Sequence, residues 1–165
     1  MNSLAHDLSV LLVRELEGFR REIELFADDV SVWRTLPGVT NSAGNLALHL
    51  AGNLQHYVGA VLGGTGYVRN RDAEFSRRSG SRTEILAEIE AAIKAVRGVL
   101  PQLPDSKLDE PYPEPVAGTT VRTGLFLCHL ATHAAFHLGQ IGYLRRVVTG
   151  DARTSGAVPV RVLTE

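Results

Sequence analysis

Leu4, Leu8, Leu11, Leu12, Leu16, Phe19, Ile23, Phe26 and Val30 recur at spacings of three and four, which predicts an amphipathic helix over about residues 3–30. Pro37-Gly38 breaks the pattern within the Leu36–Thr40 stretch. Asn41 or Ser42 then caps a second helix over about residues 42–62, ended by Gly63-Gly64 and Gly66. Its apolar stripe is Leu46, Leu50, Leu54, Tyr57 and Val61. Asn45, His49, Gly52, Asn53 and His56 lie beside that stripe as a polar flank. A polar connection follows, with Arg69, Arg71, Arg77 and Arg78. Ser81-Arg82-Thr83-Glu84 has the form of a capping box and opens a third helix over about residues 82–100, with Ile85, Leu86, Ile89, Ile93, Val96 and Leu100 inward. Prolines 101, 104, 111, 113 and 115 exclude a continuous helix in the next stretch and predict an extended loop with room for a short strand pair. Thr120 or Thr123 starts a fourth helix, over about residues 121–148, with Arg145 and Arg146 at its negative end and Gly150 at its C-cap. In the tail, residues 151–165, Val158 to Leu163 form a short apolar run suited to packing on the bundle or on a neighbour.

Four long helices without a strong strand pattern predict an all-α fold, a four-helix bundle occupying residues 1–165 as one domain. The long second and third connections leave room for crossovers. A formal charge of −1 supplies no basic field for nucleic acid. No run of 18 apolar residues is present, which argues against a membrane span, and the N-terminus lacks the charge and apolar pattern of a signal peptide. A soluble, cytoplasmic protein is expected. The only cysteine, Cys128, rules out a disulfide framework and reads as a packed thiol.

The chemistry sits in the six histidines. With His137 as angular zero, Phe126, Leu130, His133, Ile141 and Leu144 fall within about 40° of it, so His133 and His137 occupy positions where core leucines would be expected. Buried imidazoles need polar partners, and a divalent metal satisfies two at once when i,i+4 spacing brings them to one point. His129 lies about 80° away and about 12 Å along the axis from His137, so it fits the pair poorly. A third ligand has to come from another helix. His49 and His56 are the candidates, and periodicity does not choose between them.

Several metal-site and phosphate-site chemistries are excluded. Ala134 stands where the His-Glu-x-x-His motif of metalloproteases needs its glutamate. No histidine has a glutamate three residues before it, so the di-iron carboxylate pattern is missing. Gly63-Gly64-Thr65-Gly66 follows a helix and lacks the Lys-Ser/Thr ending of a phosphate loop.

Two segments, Gly44-Asn45-Leu46-Ala47-Leu48-His49-Leu50-Ala51-Gly52-Asn53-Leu54 and His129-Leu130-Ala131-Thr132-His133-Ala134-Ala135-Phe136-His137-Leu138-Gly139-Gln140-Ile141, resemble the DinB-like (DinB/YfiT) metal-binding superfamily of four-helix proteins. That group includes bacillithiol- and mycothiol-dependent transferases. The resemblance implies metal ligands at His49, His133 and His137, the last followed by the x-Gly-Gln-Ile usual there. The histidine often found just before the last ligand is Phe136 here. The run Tyr67-Val68-Arg69-Asn70-Arg71-Asp72-Ala73-Glu74-Phe75 is similar to a pattern in one branch of the group.

Three neutral imidazoles would leave a divalent ion, zinc or nickel, with its full charge and an open position for hydroxide or thiolate. The resemblance therefore implies a metal-dependent S-transferase acting on a small-molecule thiol and an electrophilic substrate. A metal-hydroxide hydrolase and a non-catalytic metal-binding or sensing bundle are the alternatives. Asn53 and Gln140 are placed to orient ligands, and Arg69 and Arg71 to hold carboxylates of a thiol or substrate. Apolar helix faces and Val158-Pro159-Val160 suit a homodimer.

Overall fold

A computed structural model describes residues 3–156 and 158–163. Met1, Asn2, Ala157, Thr164 and Glu165, and with them parts of the expected tail, lie outside the described residues. The fold is all-α. The helices are α1 (Leu4–Glu24), α2 (Ala43–Leu54), α3 (Arg71–Ser76), α4 (Arg82–Val99), α5 (Ser106–Asp109) and α6 (Thr123–Thr149). α1 packs along α4 and α6, and α2 packs along the same two helices. The long helices therefore stand in the ring order α1, α4, α2, α6. The chain crosses the bundle diagonally between α1 and α2 and again between α4 and α6. The first crossover is longer than the sequence pattern indicated, and the α2–α4 connection joins neighbours.

The reason lies at the end of α1. The helix stops at Glu24, not near residue 30. Asp28 Oδ1 accepts from the Ser31 backbone N–H at 2.7 Å, and Ser31 Oγ donates to the Asp28 carbonyl at 3.0 Å. These local bonds compete with helical ones and turn the chain. Phe26 is still buried, but Val30 is exposed, so its place in the apolar period was a coincidence. Trp33 then anchors the crossover. Its indole donates to the Gly80 carbonyl at 2.8 Å, and its ring lies where a Cβ on Gly44 would come within 2.9 Å.

Ser42 caps α2 in a reciprocal capping box with Asn45, and Ser81 does the same for α4 with Glu84. Beyond Leu54 the second helix continues as wide π turns over Gln55–Leu62. The 64–80 connection holds α3, capped by Asn70, whose Oδ1 accepts from the Ala73 N–H at 3.0 Å. The proline-rich stretch holds a 3-10 turn at Leu100–Gln102, the short α5, and two isolated bridges, Pro111 with Arg122 and Val116 with Thr119. No strand forms among the described residues.

The core is built from Leu8, Leu12, Leu16, Phe19 and Ile23 of α1, Leu46, Leu50 and Leu54 of α2, Ile85, Ile89, Ile93 and Val96 of α4, and Leu127, Leu130, Ala134, Leu138 and Ile141 of α6. Arg145 is fully buried beside them and is not a surface partner of the helix dipole. It pairs with the buried Glu22 of α1 and donates to the carbonyls of Asp151, at 3.0 Å, and Arg153. Gly150 ends α6 in the left-handed conformation, with φ of 69°. The Val160–Leu163 turn contacts α1, although Val158, Val160 and Leu163 remain exposed.

Candidate metal centre

His49 projects from α2, and His133 and His137 from successive turns of α6. The core seam of α6 is rotated from the expected one. It is centred on Leu127, Ala134, Leu138 and Ile141, and His133 and His137 stand half-buried at its edge, facing α2. There the three imidazoles converge. His133 Nε2 lies 3.4 Å from His49 Nε2 and 2.9 Å from His137 Nε2. One nitrogen from each ring falls within 4.8 Å of the others. His49 meets the other two rings edge-on, with centroids 5.2 Å away in each case.

The second nitrogen of two of these rings decides what the first can do. Glu74 Oε2 lies 3.0 Å from His49 Nδ1. Burial pushes the Glu74 carboxyl up, but bonds from Arg69 and His49 outweigh it and hold the group ionised, below its ordinary value. An ionised carboxylate only accepts, so His49 Nδ1 carries the proton and its Nε2 presents a lone pair to the cluster. Arg69 also sits 3.2 Å from His49 Nδ1, but its guanidinium is committed to Glu74 through two bonds of 2.7 Å. His137 Nδ1 faces Gln140 Oε1 at 2.7 Å, which likewise leaves its Nε2 as an acceptor. His133 is pushed down to about 4 by burial and by its histidine neighbours, and burial lowers His137. Burial thus favours the uncharged form of His133 and His137, and the Nε2 lone pairs of His49 and His137 turn inward.

That donor set fits a divalent ion. Tetrahedral coordination at metal–nitrogen distances of about 2.0–2.1 Å separates ligand nitrogens by about 3.3–3.4 Å; the His49–His133 pair stands at 3.4 Å and the His133–His137 pair is closer, at 2.9 Å. Three nitrogen ligands leave a four-coordinate ion one position for an outside group.

The polar flank of α2 is largely covered. Asn45, His49 and Asn53 are buried, and α3 roofs them. Asn45 Nδ2 donates to the carbonyls of Glu74 and Arg77, both at 2.9 Å, and so ties α3 to α2. Gly52 provides the notch: a Cβ there would come within 2.3 Å of Glu74 Oε1. Phe75 closes the other side of His49 with ring centroids 4.7 Å apart.

The remaining candidates separate clearly. His56 bonds Glu114 at 2.9 Å, away from the cluster. His129 is exposed and stacks between Phe126 and His133. Gln140 supports His137. Asn53 Oδ1 is buried without a hydrogen-bond partner among the described residues. Arg69 is held within the chain by Glu74, so it does not stand free to bind a substrate carboxylate. Arg71 is exposed and lies over the Phe75 ring at 5.0 Å, outside the cluster. Cys128 is exposed, not packed. Glu74 escaped the sequence reading because a six-residue helix has no period to read. The Asn70 cap followed by acidic residues was the only local sign of it.

A groove of about 520 Å³ opens beside His137 and Gln140, walled by Leu36, Val39, Leu46, Tyr143, Leu144 and Val147. No charged side chain lines it.

The sequence model of the DinB superfamily matches residues 11–141, and the chain belongs to that superfamily. The match covers all three histidines of the cluster. No curated protein and no solved structure matched the chain. Superfamily membership and the three-histidine cluster together fit a metal-binding DinB-like protein.

Proposed function

We propose that His49, His133 and His137 hold one divalent ion, zinc or nickel, and that the protein is a metal-dependent S-transferase using a low-molecular-weight thiol. The convergence of three Nε2 atoms, two of them turned inward as acceptors by Glu74 and Gln140, is the observation that carries this reading. When bound, the ion supplies Lewis acidity that brings a thiol at its open position into its nucleophilic form near neutral pH. The chain does the rest. Glu74 and Gln140 keep the two rings in one tautomer and one orientation. The uncharged groove beside His137 receives the apolar part of the electrophile and excludes water from the reacting atoms.

A hydrolytic reading gains less support. It needs a free base, and the buried carboxylate nearest the histidines, Glu74, is taken up by Arg69 and His49. The test is loss of free thiol in the presence of an aryl halide electrophile, with protein loaded with zinc or nickel. Turnover by the loaded protein and none by His49→Ala of unchanged helicity supports the transferase. Stoichiometric metal with no conjugation by any small thiol leaves a metal-binding bundle and removes the enzymatic account.

A further inference from the structure

From Thr123 to Leu144, α6 contains no Asp, Glu, Lys or Arg. A helix apolar on all sides is normally buried on all sides. Here one side of α6 faces solvent, and Leu125, His129, Thr132, Phe136, Gln140, Tyr143 and Val147 run along it at spacings of three and four. Leu125 is 59% exposed, Phe136 63%, Tyr143 74% and Val147 63%. The exposed side of α4 is ordinary by contrast, with Glu84, Glu88, Glu90, Lys94 and Arg97. Gly139 lies on the same side, and a Cβ there would meet nothing within 4 Å in its own chain, so another backbone has room to approach closely.

We infer that this face of α6 packs against the same face of a second copy of the chain. An isologous interface sets a surface against itself, so a patch with net charge would repel its own image, whereas this one is free of formal charge. From Leu125 to Val147 the face is about 33 Å long at 1.5 Å per residue, and its accessible area is on the order of 500 Å² per copy. That lies at the upper end of the apolar patches monomers expose, and it is most of the roughly 800 Å² per partner of a stable interface before any rim is added. The two helices run antiparallel. The antiparallel arrangement opposes the two helix dipoles, whereas a parallel one would align them. Thr132, Ala135 and Gly139 lie at the crossing, where small side chains allow close approach. Tyr143 and Val147 also wall the groove beside His137, so the second copy would border that groove and help close it. The inference stands on the shape and charge of α6 and does not depend on the metal or the reaction.

The test is molar mass by light scattering across roughly 1–100 μM, for tag-free wild type, Leu125→Arg and Tyr143→Arg. Both positions are exposed, so both variants keep the fold, checked by circular dichroism. Symmetry introduces each arginine twice at the interface. The wild type should run at twice the chain mass of 17.9 kDa. Each variant should dissociate at least about 100-fold more readily. A monomeric wild type throughout that range overturns the inference, and so does either variant dimerising as tightly as the wild type.

Discussion

Replacing Gly52 with alanine should weaken metal binding even though alanine is the better helix former. The new Cβ would lie 2.3 Å from Glu74 Oε1, 3.1 Å from its Cδ and 3.3 Å from the Tyr67 hydroxyl. Ordinary contact is about 3.4 Å or more, so the carboxylate must retreat by about 1 Å. It has little freedom to do so. Two bonds of 2.7 Å fix it to Arg69 and one of 3.0 Å to His49 Nδ1. The bond to His49 is then lost or lengthened, and the ring loses its preference for the tautomer that aims Nε2 at the cluster. Losing such a partner of a ligating histidine costs about 10- to 100-fold in metal affinity, or about 1.4–2.8 kcal/mol. Helix propensity moves the other way, by up to about 1 kcal/mol in favour of the fold. Competition with a calibrated zinc chelator measures the affinity, and urea denaturation of the metal-free protein measures the fold. Weakened binding with near-wild-type stability is expected. Unchanged affinity in Gly52→Ala would show that Glu74 does not orient His49.

Glu22→Ala should lower stability by about 3–5 kcal/mol, since it leaves the fully buried Arg145 cation without its carboxylate; urea denaturation measures the loss, and a cost below about 1 kcal/mol contradicts the pairing. Below pH 6.5 the unfolded chain protonates His133 and His137, while the native metal-free chain resists, His133 down to about 4, so stability present above pH 6.5 is progressively lost as pH falls through that window. Melting temperatures in the presence of chelator should show this slope, and His133→Asn should flatten it; an equal slope in both proteins refutes it. His56→Ala and His129→Ala should keep the wild-type metal stoichiometry by elemental analysis, because neither ring reaches the cluster; loss of the ion in either variant would reassign the ligands.

Much of this architecture is legible from residue order because the signals are local and periodic. Ser42 and Ser81 announce helix starts through side-chain bonds three residues long, and Gly150 announces an end through its backbone freedom. The stripes of α1 and α4 face the core as their spacing requires. α6 is different. An almost uniformly apolar helix has no angular preference to read, so its seam was placed some 60° or more from where Leu127, Ala134 and Leu138 put it. The same uniformity hides which side is left for another molecule. His133 and His137 were still found, because i,i+4 spacing brings two rings together whichever way the helix turns. The third partner was beyond periodicity. His49 faces α6 under the roof of α3 while His56 turns to Glu114, and α3 is six residues capped by Asn70 and tied to α2 by Asn45 and Glu74. The resemblance carried by the two histidine segments separated His49 from His56 where spacing did not.

The claim beneath the functional account is that imidazoles from α2 and α6 share one cation. Elemental analysis of protein purified without a histidine tag, followed by titration of the metal-free form with zinc and nickel, tests it directly. One ion per chain in the wild type, and less than a tenth of that in His133→Ala at equal helicity, is the predicted result. A wild type that takes up neither ion at stoichiometric concentrations, or a His133→Ala variant that keeps a full complement, would contradict it.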